Sequence, residues 1–493
     1  MPTGVNQRQI WREVRHFWAV WFPVVLMLTG CAVGPDFHRP ETAVPGAWSG
    51  VGAESAQQTS IATPQPAELV AWWKAFEDPM LTSLVDRAIV SNLDLRQAEA
   101  RIRQARATRG IVASGFWPEI DANANYNRSL SSSASFGSSG ASLQPTLLPV
   151  ANDMFQAGLD AAWELDIFGG IRRGVEAAQA DLQAAVEDRR NVLVSLVAEV
   201  GINYVGLRGF QQQILIARQN LEAQQHTAEI TRKRYEAGFV SSLDPANANA
   251  LVATTEAQIP VLESAAQAAI YSLGVLLGRP PAALAEELSS DKPIPTTPPE
   301  VPVGLPSDLI RRRPDIRRAE AQLHSATARI GVATADLFPK FSLTGSYGFL
   351  STDFSSLANW SSRFYSYGPS VTWPIFTGGR IRWNIELQKA FREEDLAAYE
   401  QAILTALKDV ETALVAYAKD QQRISSLNVA VENNFRAVDL STKLYVAGKS
   451  DYLNVLVAQR SLNSSQDALV QSTRSLATDL IALYKALGGG WEK

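Results

Sequence analysis

Along residues 171–236, apolar side chains recur at every seventh position: Val186, Leu193, Val200, Leu207, Ile214 and Leu221. A seven-residue apolar repeat is typical of a helix that packs along a narrow seam. The same repeat returns 210 residues later, as Leu396, Ile403, Val410, Tyr417, Ile424, Val431, Val438 and Tyr445. Because an α-helix rises about 1.5 Å per residue, each stretch predicts a helix of roughly 100 Å. No compact core needs such a helix, and Arg, Glu and Gln recur too often along it to favour a membrane span.

A second pattern, with a period of two, follows a shorter helical stretch in each half. Apolar positions from Leu84 to Val112 predict one continuous helix that ends before Pro118, since proline cannot continue the hydrogen-bond pattern. Alternating apolar and polar residues then predict strands over 120–126 and 155–165, and again over 341–349 and 365–373. Trp72, Trp73 and Phe76 precede the first helix and are expected to be buried.

Local signals predict how the long helices turn. Gly238 suits a left-handed position after the first long helix. Asp244 and Pro245 resemble an N-cap followed by proline at the first helical position. Pro260 predicts a kink in the return helix.

The two halves of the chain match residue by residue. At an offset of 221, Asp94 and Pro118 match Asp315 and Pro339, and beyond the first strand the offset becomes 210. The change of register falls in the strand–strand loop, where insertions are tolerated. We therefore expect repeats at 79–278 and 309–488, a largely extended proline-rich connector at 279–308, an irregular arm at 31–78 and a short tail at 489–493.

Residues 1–30 predict a signal peptide, since three arginines precede the apolar run 17–28. The sequence Leu28-Thr29-Gly30-Cys31 resembles a lipobox, which favours acylation of Cys31 over a retained signal anchor. In the bacterial lipoproteins that this segment resembles, an aspartate after the cysteine retains the protein in the inner membrane, so by that resemblance Ala32 favours sorting to the outer membrane.

Composition excludes several classes of function. The net charge is −5, and no run of basic residues favours nucleic acid as a partner. One cysteine permits no intrachain disulfide, and the four histidines have no ligand spacing. With no catalytic motif, we expect no enzyme, cofactor or metal site.

The strands leave two alternatives open, an ordinary half-buried sheet or part of a membrane barrel. A sheet in lipid cannot leave its edges unpaired. Four strands are also fewer than the roughly eight of the smallest membrane barrels. A barrel would therefore be shared between chains.

The chain resembles a TolC/OprM-type outer membrane factor of the NodT-like branch, from Cys31 onward. The matching segments are 31–35 (CAVGP), 78–81 (DPML), 312–317 (RRPDIR), 337–339 (LFP), 373–376 (WPIF), 378–380 (GGR) and 486–491 (ALGGGW). The resemblance implies a mainly α fold with a membrane β-barrel: a homotrimer whose twelve-stranded barrel in outer membrane lipid continues into a periplasmic helical tunnel. It also implies passive efflux of small molecules from an inner-membrane RND-type pump through a periplasmic adaptor protein. A protein-secretion channel and an envelope-bridging coiled-coil lipoprotein remain alternatives.

The same resemblance assigns roles to the two helix-hairpin tips and to a gate beside them. Tip residues expected to contact the adaptor, if the glycines do more than permit the turn, are Tyr235, Gly238, Phe239, Tyr445, Gly448 and Lys449. The matching gate positions are Asp244, Tyr445, Leu453, Asn454, Val457 and Arg460. Asp244 and Tyr445 match a latch between neighbouring hairpins, and a simple helix cap is the other interpretation of Asp244. The family has aspartate at one or other of the positions of Asn454 and Val457, so here we predict a more apolar gate.

The sequence also contains a cluster of arginines near the start of the second repeat and a set of acidic residues in or directly after the first two large strands. The arginines at 311–313, 317 and 318 are interpreted as a solvated helix entrance rather than an anion or nucleic-acid site. Asp121, Asp160, Glu164 and Asp166 suggest a mild cation preference in the barrel.

Overall fold

The computed structural model describes residues 32–49, 61–63, 69–130 and 151–491. The predicted signal peptide, Cys31 and the loop between the first two large strands lie outside these ranges. The chain divides into two compact units. One contains the residues up to Arg39 with 104–182 and 321–396, and the other contains 40–103, 183–320 and the residues from Ala397 onward.

Helices and strands follow the same order in both halves of the chain. After a short strand β1 (Ile61–Thr63), the first half contains α1 (Pro79–Ser91), α2 (Leu93–Ser114), β2 (Glu119–Leu130), β3 (Ala151–Leu165), α3 (Gly170–Glu236) and α4 (Leu243–Leu276). The connector contains α5 (Ala285–Leu288) and β4 (Glu300–Pro302). The second half contains α6 (Pro306–Arg312), α7 (Pro314–Ala335), β5 (Lys340–Ser351), β6 (Arg363–Thr372), α8 (Arg380–Val446) and α9 (Tyr452–Ala486). Both seven-residue repeats lie in helices of 67 residues, α3 and α8, which confirms the prediction of two long helices.

The first unit contains an antiparallel sheet of four strands in the order β2-β3-β5-β6. One row of directly paired residues crosses all four strands: Asp121, Asp160, Ser346 and Ser366. The next row carries Ile120, Ala161, Gly345 and Tyr367. Because successive side chains point to opposite faces, the predicted alternation gives one polar and one more apolar face. Among the described strands, β2 and β6 each pair on one side only, so the sheet has two open edges.

The hydrophobic core of the second unit forms around the aromatic residues that precede α1. Residues Trp72–Phe76 form a 3₁₀ helix, and Trp72, Trp73 and Phe76 are buried as predicted. The Trp72 ring stacks on Tyr484 of α9, with ring centroids 5.3 Å apart. Burial of large apolar side chains supplies about 1.5–3 kcal/mol each. It holds the segment before the first repeat against α9, the last helix of the second repeat.

The prediction of one continuous helix from Leu84 to Val112 is wrong, because the helix breaks at Asn92. The Asn92 side chain accepts hydrogen bonds from the backbone N–H groups of Asp94 and Leu95, at 2.9 and 3.0 Å. Its amide donates to the Leu276 carbonyl at 2.9 Å. Asn92 therefore caps α2 while it binds the end of α4, a contact with a residue far along the chain.

The connector is non-helical from 289 to 305, in line with the prediction, but it begins with a helical segment. It contains a 3₁₀ turn and the short helix α5, and Leu284, Leu288 and Val301 are fully buried. Its strand β4 pairs in parallel with β1, which lies in the arm that we expected to be irregular. Apolar residues between the prolines explain the difference, since they bury surface in the core of the second unit.

The arginine cluster is a solvated face only in part, since Arg311 is exposed and Arg313 is largely buried. The Arg313 side chain is 11% exposed and pairs with Asp315 at 2.7 Å and Asp409 at 3.5 Å. Arg317 pairs with Glu187 at 2.8 Å, and Arg318 with Asp188 at 2.7 Å. Asp409, Glu187 and Asp188 lie on the long helices α8 and α3, whereas Asp315 lies in the first turn of α7.

Helices α3 and α4 each contain a stretch apolar enough to cross a membrane by length and composition alone. In α3, 67% of that stretch is buried inside the chain, as expected for a helix in a protein core. We expected the charged residues of α3 to make its composition unsuitable for a membrane span, and for this stretch that expectation is wrong. Burial within the chain, rather than charge, is what distinguishes it from a span.

Candidate functional site

Two tight turns, α3–α4 and α8–α9, form the tips of the helix hairpins. The Gly238 amide donates to the Tyr235 carbonyl at 2.9 Å, and the Gly448 amide to the Tyr445 carbonyl at 3.0 Å. Gly238 and Gly448 have φ of 75° and 73°, the left-handed conformation predicted at Gly238. Both tips therefore close in the same way.

The predicted tip residues differ in exposure. Tyr235 and Phe239 are 47% and 77% exposed, and Gly238, Gly448 and Lys449 are exposed as well. Tyr445 is only 1% exposed. Its side chain is therefore not part of the tip surface that this chain presents, although Tyr235 holds the matching place in the first repeat.

A small core beneath the second tip buries Tyr445. Tyr452 meets it edge to face, with ring centroids 5.6 Å apart. Ala248 and Leu251 of α4 belong to the same cluster. Above the ring lies the Arg234 guanidinium, 4.7 Å from its centroid. The sequence reasoning missed Arg234. The signal that could have identified it is that the two repeats differ at this position, with Leu444 in the second repeat.

Asp244 is not the helix N-cap, and this prediction is wrong. Helix α4 begins at Leu243 with Ser242 before it, and no side-chain cap hydrogen bond is formed there. Burial, then the charge of Asp451, raises the pKa of the Asp244 carboxyl. Burial and the charge of Asp244 raise the pKa of the Tyr445 hydroxyl. The charge of Asp244 thus acts on Tyr445 within one chain, and the Tyr445 hydroxyl forms no hydrogen bond to any of the described residues.

The remaining predicted gate residues share the exposed face of the first turns of α9. Leu453 is 62% and Val457 is 55% exposed, and Asn454 and Arg460 are exposed beside them. The opposite face carries the buried residues Tyr452, Val455, Leu456 and Gln459. The exposed face has two aliphatic side chains, one amide and one cation.

Polar contacts join the two hairpins along the second unit. Gln459 Nε2 donates to Thr227 Oγ1 at 3.1 Å, deep between α9 and α3. Asn220 Nδ2 donates to Gln466 Oε1 at 2.9 Å. The first turns of α9 therefore lie against the end of α3.

The predicted lipidation site, Cys31, lies outside the described residues, but the segment after it is held in place in the first unit. The Val33 amide donates to the Phe168 carbonyl at 3.1 Å. The Phe37 ring stacks on His324, with centroids 4.4 Å apart. Arg173 bonds Asp36 at 2.6 Å, and this hydrogen bond lowers the pKa of the Asp36 carboxyl.

An open sheet with one polar face, joined to long helical hairpins in two repeats, is the plan of an outer-membrane channel subunit. The family described as "Outer membrane efflux protein" matches residues 84–279 and 305–489. Nodulation protein T of Rhizobium leguminosarum bv. trifolii is 33% identical over 471 residues, which cover 94% of this chain and 96% of that protein. The pyoverdine export outer membrane protein OpmQ of Pseudomonas aeruginosa is 35% identical over 471 residues, 95% of each chain. The solved outer-membrane channel OprN is 37% identical with a TM-score of 0.83, covering 94% of this chain and 100% of that one.

The chain belongs to the outer membrane efflux protein family. It resides in the outer membrane, extends into the periplasm and acts in efflux, as the resemblance to TolC/OprM-type factors implied.

Proposed function

We propose that three copies of the chain form one exit duct, in which three four-stranded sheets close a twelve-stranded barrel and the long hairpins line a periplasmic tunnel. The open edges of the sheet, β2 and β6, carry this proposal. In lipid, each backbone N–H or C=O group left unpaired at a strand edge costs several kcal/mol. The edge strands of neighbouring copies must therefore pair with each other.

In this assembly the duct is passive and conducts drugs or other small molecules to the exterior. A periplasmic adaptor and an inner-membrane RND-type pump supply the substrate and the energy. We propose no enzymatic activity and no cofactor. We also propose repeats at 79–278 and 309–488, a connector at 279–308 and a tail at 489–493, with Cys31 as the acylated residue.

The exposed tip residues Tyr235, Gly238, Phe239, Gly448 and Lys449 contact the adaptor. Their exposure supports this role, whereas Tyr445 acts beneath the tip by holding its shape. Replacing both Phe239→Ser and Lys449→Glu should reduce adaptor capture in a pull-down. Lys419→Glu, an exposed change on the shaft of α8, serves as the control, and equal capture by both variants argues against tip contact.

The gate lies where the exposed face of α9 turns to the tunnel axis. The Leu453 and Val457 side chains of the three copies encircle the tunnel and narrow it with aliphatic groups. Asn454 and Arg460 of the three copies add polar groups, none of which is a carboxylate. Such a gate lacks the cation affinity of an acidic ring. Asp244 and Tyr445 form the latch beside it, supported by their electrostatic coupling.

Reconstitution of the purified protein into a planar bilayer tests the duct. We expect discrete conductance steps from a protein whose native mass is that of three chains. A trimer without conductance would instead favour the envelope-bridging coiled coil. Co-purification with a protein-secretion system and not with an RND-type pump would favour the secretion channel.

A further inference from the structure

Arg234 connects the two hairpin tips of one chain. It lies in the last turn of α3, and its Nη1 donates to the Tyr445 carbonyl at 2.6 Å and to the Val446 carbonyl at 3.0 Å. These carbonyls end the other long helix, α8. The Tyr445 carbonyl also accepts the Gly448 amide, so Arg234 adds a second hydrogen bond there, and it supplies a donor to the Val446 carbonyl at the helix end. Its charge opposes the negative end of the helix dipole.

The geometry makes this link stronger than an ordinary surface contact. Arg234 is partly buried, and the Tyr445 ring under its guanidinium is buried. Arg234 therefore contacts the carbonyl oxygens of Tyr445 and Val446 and the face of the Tyr445 ring at once. Hydrogen bonds from a charged donor in such surroundings favour the attached over the detached state of the helix end by roughly tenfold or more.

The duplication shows that the link is not a general property of the hairpin tips. Leu444 occupies the position of Arg234 in the second repeat and is 46% exposed. Within the described structure, no side chain donates to the Tyr235 carbonyl, which accepts only the amide of Gly238. The two tips thus share one backbone turn but differ in this cation.

We infer that Arg234 is a positioning residue of the gate, a cross-hairpin cap that ties the end of α8 to the first hairpin and so restrains the start of α9. The connection to the gate is short, because Tyr445 packs on Tyr452, the first residue of α9, and Leu453 and Val457 follow on its exposed face. Movement of the second tip relative to the first must break both carbonyl bonds. The role in gating rests on the proposed function, whereas the restraint of α8 does not.

Two measurements on the full-length protein separate these parts. In hydrogen exchange, Arg234→Ala should speed exchange of the amides at 446–452 by roughly tenfold while the remainder of α8 keeps its wild-type rate. In a planar bilayer the Arg234→Ala channel should open more often or to a larger conductance, by a factor of about two or more. The open probability or conductance of Arg234→Lys should lie between those of Arg234→Ala and the wild type. Arg232→Ala is the matched control, since Arg232 lies two residues away and pairs with Glu236 of its own helix at 3.2 Å.

Exchange at 446–452 that is equal in the Arg234→Ala and Arg232→Ala proteins would overturn the inference, whatever the conductance. Faster exchange with unchanged conductance would overturn the role in gating. A wild-type protein without conductance would count against the proposed duct, and the exchange experiment would still decide whether Arg234 caps α8.

Discussion

Trp373 donates its indole N–H to the Leu337 carbonyl at 3.0 Å, and its counterpart in the first repeat, Trp163, donates to Phe116 at 2.9 Å. Both acceptors lie in turns between a helix and a strand, at 115–118 and 336–339. Each indole therefore joins the end of the second strand in its repeat to the turn that starts the first. Since donors and acceptors both match across the duplication, the hydrogen bond is part of the repeated unit.

Replacing these tryptophans with phenylalanine should lower stability modestly. Trp163→Phe and Trp373→Phe keep an aromatic ring and remove one hydrogen bond each, so each should cost about 0.5–1.5 kcal/mol of unfolding free energy. The double variant should show the sum, because the two bonds have no partner in common. Denaturant unfolding in detergent measures this, with the exposed Trp383→Phe as the control. Equal midpoints for Trp373→Phe and Trp383→Phe would show that the bond adds nothing.

Elements with a strong period could be predicted from the sequence, and those fixed by distant partners could not. The seven-residue repeats defined α3 and α8, and alternation defined all four large strands, because each pattern reports a neighbour on one face. Gly238 was predictable because a left-handed residue suits glycine in any context. These are local rules.

The misses depend on residues far apart in the chain. The break at Asn92 requires the Leu276 carbonyl, and the pairing of Arg313 requires Asp409 on another helix. The sequence analysis did not single out Arg234, which stands in a last turn with another cation. Its role depends on the ends of α3 and α8 lying side by side. The periodicity of a sequence does not indicate which distant carbonyl a side chain contacts.

Asp479 should destabilise the protein at neutral pH. Burial and the nearby charge of Asp420 raise the pKa of its carboxyl from 3.8 to about 6. Between these values the folded chain holds a proton that the unfolded chain has released, so stability falls as the pH rises from about 4 to 6, and the loss persists above pH 6. Asp479→Asn should therefore gain about 1–2 kcal/mol at pH 7.5, allowing for partial solvent screening, and almost nothing at pH 4.

Thermal unfolding at both pH values checks this prediction. Asp439→Asn is the control, because Asp439 is half exposed and pairs with Lys443 in the next turn at 2.8 Å. A gain for Asp479→Asn that is the same at pH 4 and pH 7.5 would exclude titration of this carboxyl as the cause.

Arg173 should hold the segment that follows Cys31. Its side chain is 6% exposed and bonds Asp36 at 2.6 Å and Glu176 at 2.8 Å. Burial raises the pKa of the Glu176 carboxyl, but hydrogen bonds from His324 and Arg173 outweigh this and lower it. Arg173→Ala leaves both carboxylates without this cation, so hydrogen exchange at residues 33–38 should speed up by about tenfold or more. Arg329→Ala removes the more exposed pair with Asp181, 2.8 Å apart, and should leave those amides unchanged.

A buried carboxylate between two arginines supplies the largest effect that we expect. Glu187 is 1% exposed and accepts from Arg190 at 2.6 Å and from Arg317 at 2.8 Å. Both guanidinium groups also lie over the Trp491 ring, 4.5 and 5.3 Å from its centroid. Glu187→Gln leaves two cations facing each other without the anion, which should cost about 2–4 kcal/mol of unfolding free energy.

The neighbouring Asp188 provides the comparison. It is 25% exposed and pairs with Arg318 at 2.7 Å, so Asp188→Asn should cost less than about 1 kcal/mol. Adding Arg317→Met to Glu187→Gln removes one of the unbalanced cations and should restore part of the loss, which a double-mutant cycle measures as coupling. Additive losses from Glu187→Gln and Arg317→Met would show that the two groups act independently. In that case the close packing of Trp491 on both arginines, rather than the charge of Glu187, would be what stabilises this end of the chain.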